Sequence, residues 1–190
     1  MSIPKIILAS ASPRRTELLD LAGINHTVDP ADVDESILSN EASADYAKRI
    51  ALVKAIKTAE RHTSGLVLGA DTIVVVKGEV LGKPSSREDA ARMLQLISGR
   101  EHEVITAVAL VDAQTRRSEV EIEVTEVKVK ELTSDEIAEY LETGEPYDKA
   151  GAYGIQGRAS VFVEGIRGCF FNVVGLPLAR LYRMLKEFQT

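Results

Sequence analysis

Leu66-Val67-Leu68-Gly69-Ala70-Asp71-Thr72-Ile73-Val74-Val75-Val76 is the stretch whose reading decides the fold. Two short, β-branched, apolar runs without polar alternation read as central strand covered on both faces, with Gly69-Ala70-Asp71-Thr72 predicted to interrupt it. A strand covered on both faces needs helices above and below its sheet, which points to an α/β chain. Lys77-Gly78-Glu79 then reads as a hairpin turn into Val80-Leu81. A carboxylate inside such a run is costly to bury unless a cation or hydrogen bonds compensate.

Working outward toward the N-terminus, residues 43 to 61 predict a helix from the spacing of Tyr46, Ile50, Val53 and Ile56, with Ser64-Gly65 ending it. Lys5 to Ala9 predicts a short buried strand. A helix should follow, with Ser12 accepting from a first-turn N–H, Pro13 in the first helical position, and Leu18, Leu19 and Ala22 as the buried stripe before Gly23. Toward the C-terminus, Ser85-Ser86-Arg87-Glu88-Asp89 offers overlapping capping boxes for a helix carrying Ala90, Met93, Leu94 and Ile97, ended by Gly99. Val104 to Val111 is a predicted strand. Val120, Ile122 and Val124 alternate with glutamates, and Val127 and Val129 restart in the other phase, which predicts a bulge near Thr125-Glu126. Thr133-Ser134-Asp135-Glu136 caps a helix to Thr143, a glycine-rich region covers 144 to 168, and Leu176 to Phe188 forms the last helix. The alternation predicts an α/β fold with a mixed central sheet and flanking helices.

Composition narrows the function. The chain has 190 residues, 45% apolar, 27% charged and 5% aromatic, the balance of a globular protein rather than a disordered or fibrous one. Its 23 basic and 29 acidic residues give a net charge of −6 without a basic block, so nucleic acid is not the expected partner. The single cysteine, Cys169, cannot pair internally and fits a reducing compartment, so the expected location is cytoplasmic. The opening residues lack a charged leader, and no apolar run approaches the ~20 residues of a membrane span, so export and membrane association are not expected. The histidines His26, His62 and His102 lack metal-ligand spacing, Cys169 reads as core, and neither a P-loop nor a nucleophile elbow is present.

Three groups of residues carry possible chemistry. Ser10-Ala11-Ser12-Pro13-Arg14-Arg15 lies where a strand feeds a helix N-terminus, and reads either as a place suited to phosphate or as an ordinary helix cap followed by two solvated arginines. Asp71 reads as a metal ligand or base at the sheet, or as a structural aspartate satisfying a turn. Lys54, Lys83 and Lys149 stand beside small residues or turns and supply the positive charge that a triphosphate needs, while Asp34-Glu35 adds carboxylates able to share a divalent ion with Asp71. Taken singly, each lysine reads first as a solvated surface residue, and only together with Arg14 and Arg15 do they point to a triphosphate.

With these segments in place, the chain resembles the Maf family of nucleoside triphosphate pyrophosphatases nearly end to end. The resemblance rests on Leu8-Ala9-Ser10-Ala11-Ser12-Pro13-Arg14-Arg15, Asp34-Glu35, Lys54-Ala55, Gly69-Ala70-Asp71-Thr72, Gly82-Lys83-Pro84 and Ser98-Gly99-Arg100. It continues through Asp148-Lys149-Ala150-Gly151-Ala152-Tyr153-Gly154-Ile155-Gln156-Gly157 and Val174-Gly175-Leu176-Pro177. It implies a single domain over residues 1–190 and a fold like that of the inosine triphosphate pyrophosphatases, two lobes around a cleft. It also implies hydrolysis between the α and β phosphorus atoms with a divalent cation, Mg²⁺ or Mn²⁺, and a role in house-cleaning of nucleotide pools linked to cell-division arrest. The family's acidic catalytic residue falls on Asp71, and its polar pocket residues on Ser10, Arg15, Glu35, Lys54, Lys83 and Lys149. Arg14, Thr72 and Gln156 match the members acting on dTTP and UTP, and the amide of Gln156 can donate and accept at once, as the O4 and N3–H edge of uracil or thymine requires.

Asp71 is thereby expected to activate water, either as proton acceptor or as metal ligand together with Glu35. The expected partner is a small nucleoside triphosphate, with the protein a monomer or homodimer. A competing reading is a regulator of cell division that binds a triphosphate without turning it over, against which the intact Asp-Glu-Lys set argues.

Overall fold

A computed structural model describes residues 5–188; the first four residues, on which the expected lack of a leader partly rests, and the last two lie outside the described residues. The chain begins with strand β1 (Ile6–Leu8), helix α1 (Pro13–Leu21), strand β2 (His26–Val28) and helix α2 (Ser43–Ala59). Strands β3 (Leu66–Val76) and β4 (Glu79–Leu81), helix α3 (Arg87–Ile97) and strands β5 (Glu101–Asp112) and β6 (Ser118–Val129) follow. Helix α4 (Ser134–Glu142), a run of three 3₁₀ turns, strand β7 (Val163–Arg167) and helices α5 (Phe170–Val174) and α6 (Leu178–Glu187) complete it.

The strand order is β2-β1-β3-β5-β6-β7, with β4 also on β3. The sheet is mixed as expected: β1 runs parallel to β2 and β3, whereas β3 with β4 and β6 with β7 are antiparallel. By packing, the chain divides into two compact units. Among the described residues, the first takes those up to Asp71, Thr106–Glu123 and those from Gly175 onward; the second takes Thr72–Ile105 and Val124–Val174.

In the first unit β1 lies between β2 and β3, and the core gathers around Ile6, Leu8, Leu19, Ile50, Leu68 and Leu181. Helix α6 is fastened to β6 by Arg180, whose guanidinium pairs with Glu121 and Glu123. In the second unit, Lys77 and Gly78 both take positive φ, the backbone a two-residue turn between antiparallel strands requires, and β4 returns along β3. Ser86 caps α3 by accepting from the Asp89 amide, and Thr133 and Glu136 form a complete capping box on α4.

Several expectations need correction. Strand β3 is continuous through Gly69-Ala70-Asp71-Thr72, because these small residues stay in the ladder and only Thr72 is incompletely buried. Helix α2 buries half of the predicted stripe: Tyr46 and Ile50 are buried, but Val53 and Ile56 are exposed, and Ala47, Ala51, Ala55 and Ala59 face inward instead, with Lys54. It ends at Ala59, before Ser64-Gly65. Ser12 makes no side-chain cap; its amide instead donates to Ser10 Oγ at 3.2 Å, and Ala22 is exposed. Against β7, strand β6 shifts register between Lys128 and Val129. The last helix starts at Leu178 rather than Leu176, and Cys169 is half-buried rather than core. No helix among the described residues is long and apolar enough to cross a membrane.

Candidate active site

Gly69 explains why a lysine ends up inside the first unit. A Cβ on this residue would lie 2.1 Å from the Ala51 carbonyl oxygen and 2.9 Å from Ala55 Cβ, so α2 approaches β3 at a distance that only glycine opposite alanines allows. The close approach points Lys54, three residues beyond Ala51, at the strand residue two positions beyond Gly69, which is Asp71. Lys54 Nζ donates to Asp71 Oδ1 at 2.8 Å, and Glu35 Oε1 lies 2.8 Å from the same nitrogen. Lys54 and Asp71 are 9% and 7% exposed, so both charges are held by each other rather than by water. Glu35 is the exposed member.

The turn after β1 supplies a second buried pair. Ser10 Oγ accepts from the Ser12 amide at 3.2 Å and from Arg15 Nη1 at 2.9 Å, and Arg15 Nε donates to the Gly175 carbonyl at 3.0 Å. With two donors directed at its oxygen, the Ser10 hydroxyl has its hydrogen left to donate. Arg14 is half-buried on the first turn of α1. Of the nine buried polar side chains among the described residues, four are Ser10, Arg15, Lys54 and Asp71. Burying polar groups is costly, so these four need the ion-pair and hydrogen-bond partners that hold them.

Electrostatics follow from the burial. Loss of water pushes the Asp71 carboxyl above its ordinary value, while Lys54 and Arg15 pull the other way and Glu35 adds to the rise. Burial also lowers the Arg15 guanidinium, an effect opposed by Asp71 and Glu35. Tyr46 on α2 donates from its hydroxyl to the Glu35 carbonyl at 2.8 Å. Its phenol is pushed up to about 12, by burial first and then by the Asp71 and Glu35 carboxylates, so it remains a donor.

The second unit carries the other predicted residues. Thr72 is half-buried on β3, Lys83 is exposed in the turn after β4, and Gln156 is exposed in the loop after the second 3₁₀ turn. Lys149 Nζ donates to the Glu145 carbonyl at 2.8 Å and pairs with Asp148 at 2.7 Å. The Gly151 amide donates to the Gly82 carbonyl at 3.0 Å, which ties the Lys149 loop to the Lys83 turn. The structure thus brings Glu35, Lys54 and Asp71 together and joins Ser10 to Arg15.

Sequence reasoning overlooked two supporting residues. Glu145 accepts from Tyr140 Oη at 3.0 Å and from the Arg158 amide at 2.9 Å, and a Cβ at Gly157 would sit 2.1 Å from its carboxylate. The paired glycines Gly154 and Gly157 were the available signal for this crowding. Tyr46 gave no signal, because an aromatic at a helical apolar position reads as core.

Glu35 and Asp71 are the carboxylates that would hold a divalent cation. Two carboxylates, from Glu35 and Asp71, converge on one positive charge at Lys54 Nζ, and Mg²⁺ commonly takes one or two carboxylates and completes its shell with phosphate oxygens.

A solved HAM1 protein from Coxiella burnetii has the same fold, with a TM-score of 0.54 over 96% of this chain and 98% of its own, at 15% identity. The family model described as Maf-like protein matches residues 5–188. A protein of Desulforamulus reducens named dTTP/UTP pyrophosphatase is 50% identical over 183 residues, 96% of each chain. Another of that name, from Syntrophomonas wolfei, is 53% identical over 178 residues, 94% of each chain.

Proposed function

The chain belongs to the Maf-like protein family, and from that premise we propose that it hydrolyses dTTP and UTP to the nucleoside monophosphate and pyrophosphate. The observation that carries this reading is the buried Asp71 held beside Lys54 and Glu35, in a chain about half identical to proteins named for this activity.

In this reading a water attacks the α-phosphorus, the bond from that phosphorus to the oxygen bridging to the β-phosphorus breaks, and pyrophosphate leaves. Asp71 accepts the proton of the water. A carboxylate whose pKa is raised by burial is a better acceptor than an exposed one, and Lys54 and Arg15 favour its ionised form. Glu35 and Asp71 would hold the Mg²⁺ or Mn²⁺ ion, which when bound supplies positive charge to phosphate oxygens and acidifies water. Ser10 donates its hydroxyl hydrogen to a phosphate oxygen, and Arg14, Lys83 and Lys149 neutralise phosphate charge, which is most of what phosphoryl chemistry demands of a protein. Arg15, with two of its nitrogens on Gly175 and Ser10, holds the Ser10 turn in shape. Thr72 and Gln156 serve substrate choice, the amide of Gln156 reading the O4 and N3–H edge of the pyrimidine. A free thiol at Cys169 suits a cytoplasmic location.

Incubation of the purified protein with dTTP or UTP and Mg²⁺ or Mn²⁺, followed by chromatography of the products, tests the proposal. Monophosphate plus pyrophosphate is expected. Diphosphate plus orthophosphate, or no turnover of either substrate with either metal, overturns it.

A further inference from the structure

Glu35 sits in the middle of residues 29–42, a connection without helix or strand. Connections of this length usually carry function or move freely. This one is strapped along α2. Asp29 pairs with Arg61 at 2.6 Å and with His62 at 2.8 Å, and its carbonyl accepts from Thr58 Oγ1 at 3.0 Å. Lys57 donates to the Asp32 carbonyl. Arg49 grips the Glu41 carboxylate at 2.6 and 2.7 Å and the Ser36 carbonyl at 2.9 Å. Tyr46 holds the carbonyl of Glu35 itself.

Two of these straps bear on the carboxylate. The Glu35 side chain is 53% exposed, so packing does little to aim it, and its direction depends on where its backbone is held. Tyr46 is 8% exposed, its hydroxyl fixed by burial, and the Arg49 guanidinium lies over its ring at 5.5 Å from the centroid. The same helix that presents Lys54 therefore also fixes the residue that Lys54 meets.

We infer that Tyr46, braced by Arg49, is a positioning residue that sets the Glu35 backbone so that its carboxylate can share a divalent cation with Asp71. The inference rests on the proposed reading of the site as a metal-assisted hydrolase. Tyr46 does not touch substrate; it acts through Glu35.

The test is Tyr46→Phe, which keeps the ring and removes only the hydroxyl. Mn²⁺ binding is read from the electron paramagnetic resonance of free Mn²⁺, in the presence of dTTP with a methylene group between its α and β phosphorus atoms. Partners that hold a metal ligand in place typically cost 10- to 100-fold in metal affinity when lost, so Tyr46→Phe should weaken Mn²⁺ binding by about tenfold. The Mn²⁺ concentration for half-maximal dTTP turnover should rise in proportion, with kcat at saturating Mn²⁺ within about twofold of the parent. In a Glu35→Gln background, adding Tyr46→Phe should change neither quantity, because the carboxylate through which Tyr46 acts is gone. Unaltered Mn²⁺ binding in Tyr46→Phe overturns the inference, as does an equal loss in the Glu35→Gln background, which would make Tyr46 a packing residue. A parent protein that binds no Mn²⁺ removes the site reading as a whole and this inference with it.

Discussion

Asp71 could be recognised in the sequence because a carboxylate amid Leu66 to Val76 has no inexpensive explanation, and burial at 7% exposure bears out that tension. Lys54 was recognisable only through the company it keeps, since nothing in the spacing of a lysine on a helix says which way it points. Tyr46 was not recognisable, because its contribution is one hydroxyl on a backbone oxygen. His102 belongs with these unannounced residues. It is 3% exposed, its Nε2 lies 2.8 Å from Tyr153 Oη, and its Nδ1 has no partner among the described residues. Burial lowers its pKa from 6.5 to about 4. The unfolded chain takes up a proton at this histidine near 6.5 and the folded chain only near 4, so between those values the unfolded state holds more protons. Stability from this group is therefore intact above about pH 6.5, falls as pH drops toward 4, and changes no further below it. The gap corresponds to roughly 3 kcal/mol across the full window. Urea midpoints measured from pH 7 to pH 4.5 should fall more steeply for the parent than for His102→Gln, which cannot titrate. Parallel profiles would show that His102 is not protonated on unfolding.

Elements with strong local chemistry were predicted well. The capping box at Thr133 and Glu136, the Ser86 cap and the Lys77-Gly78 turn all form, because each depends on neighbours in the sequence. Strands β2 and β7 escaped the sequence reading. Each is short, with no buried side chain to mark the pattern, and is defined by the partner it meets. Helix α2 was found with Tyr46 and Ile50 correctly inward, but the other half of its face was misjudged. Weighing Val53 and Ile56 by size favoured the wrong side, whereas the fold selects the smallest residues for contact with Gly69. Gly69→Ala should therefore do more than remove freedom from a glycine. Its Cβ would meet the Ala51 backbone oxygen at 2.1 Å, which flexible side-chain ends cannot relieve, so α2 must move. Overpacking of this kind costs about 1–3 kcal/mol. Because α2 carries Tyr46, Arg49 and Lys54, turnover should fall by well over the twofold expected of a neutral surface change, even where the protein is fully folded. Urea denaturation and steady-state rates on the same sample test this, and a variant matching the parent in both would mean that the helix does not register the site.

At the scale of the molecule, alternating strands and helices sufficed for the α/β class and the mixed sheet, since those follow from which segments must be covered. The division into two compact units did not follow from it, because β3, β5 and β6 each pass through both and no linker marks a boundary. The candidate site was legible as a set of residue types and not as a geometry. Glu35, Lys54 and Asp71 come from a loop, a helix and a strand, and only the folded chain places them around one nitrogen. The central claim is that Asp71 activates the attacking water. The most direct measurement compares pyrophosphate release from dTTP by the parent and by Asp71→Asn, each at saturating Mn²⁺, with thermal melting of the same samples. Removal of a positioned base should lower kcat by about 10²-fold or more with the melting temperature close to the parent's. Near-parental turnover by a folded Asp71→Asn protein would contradict the account.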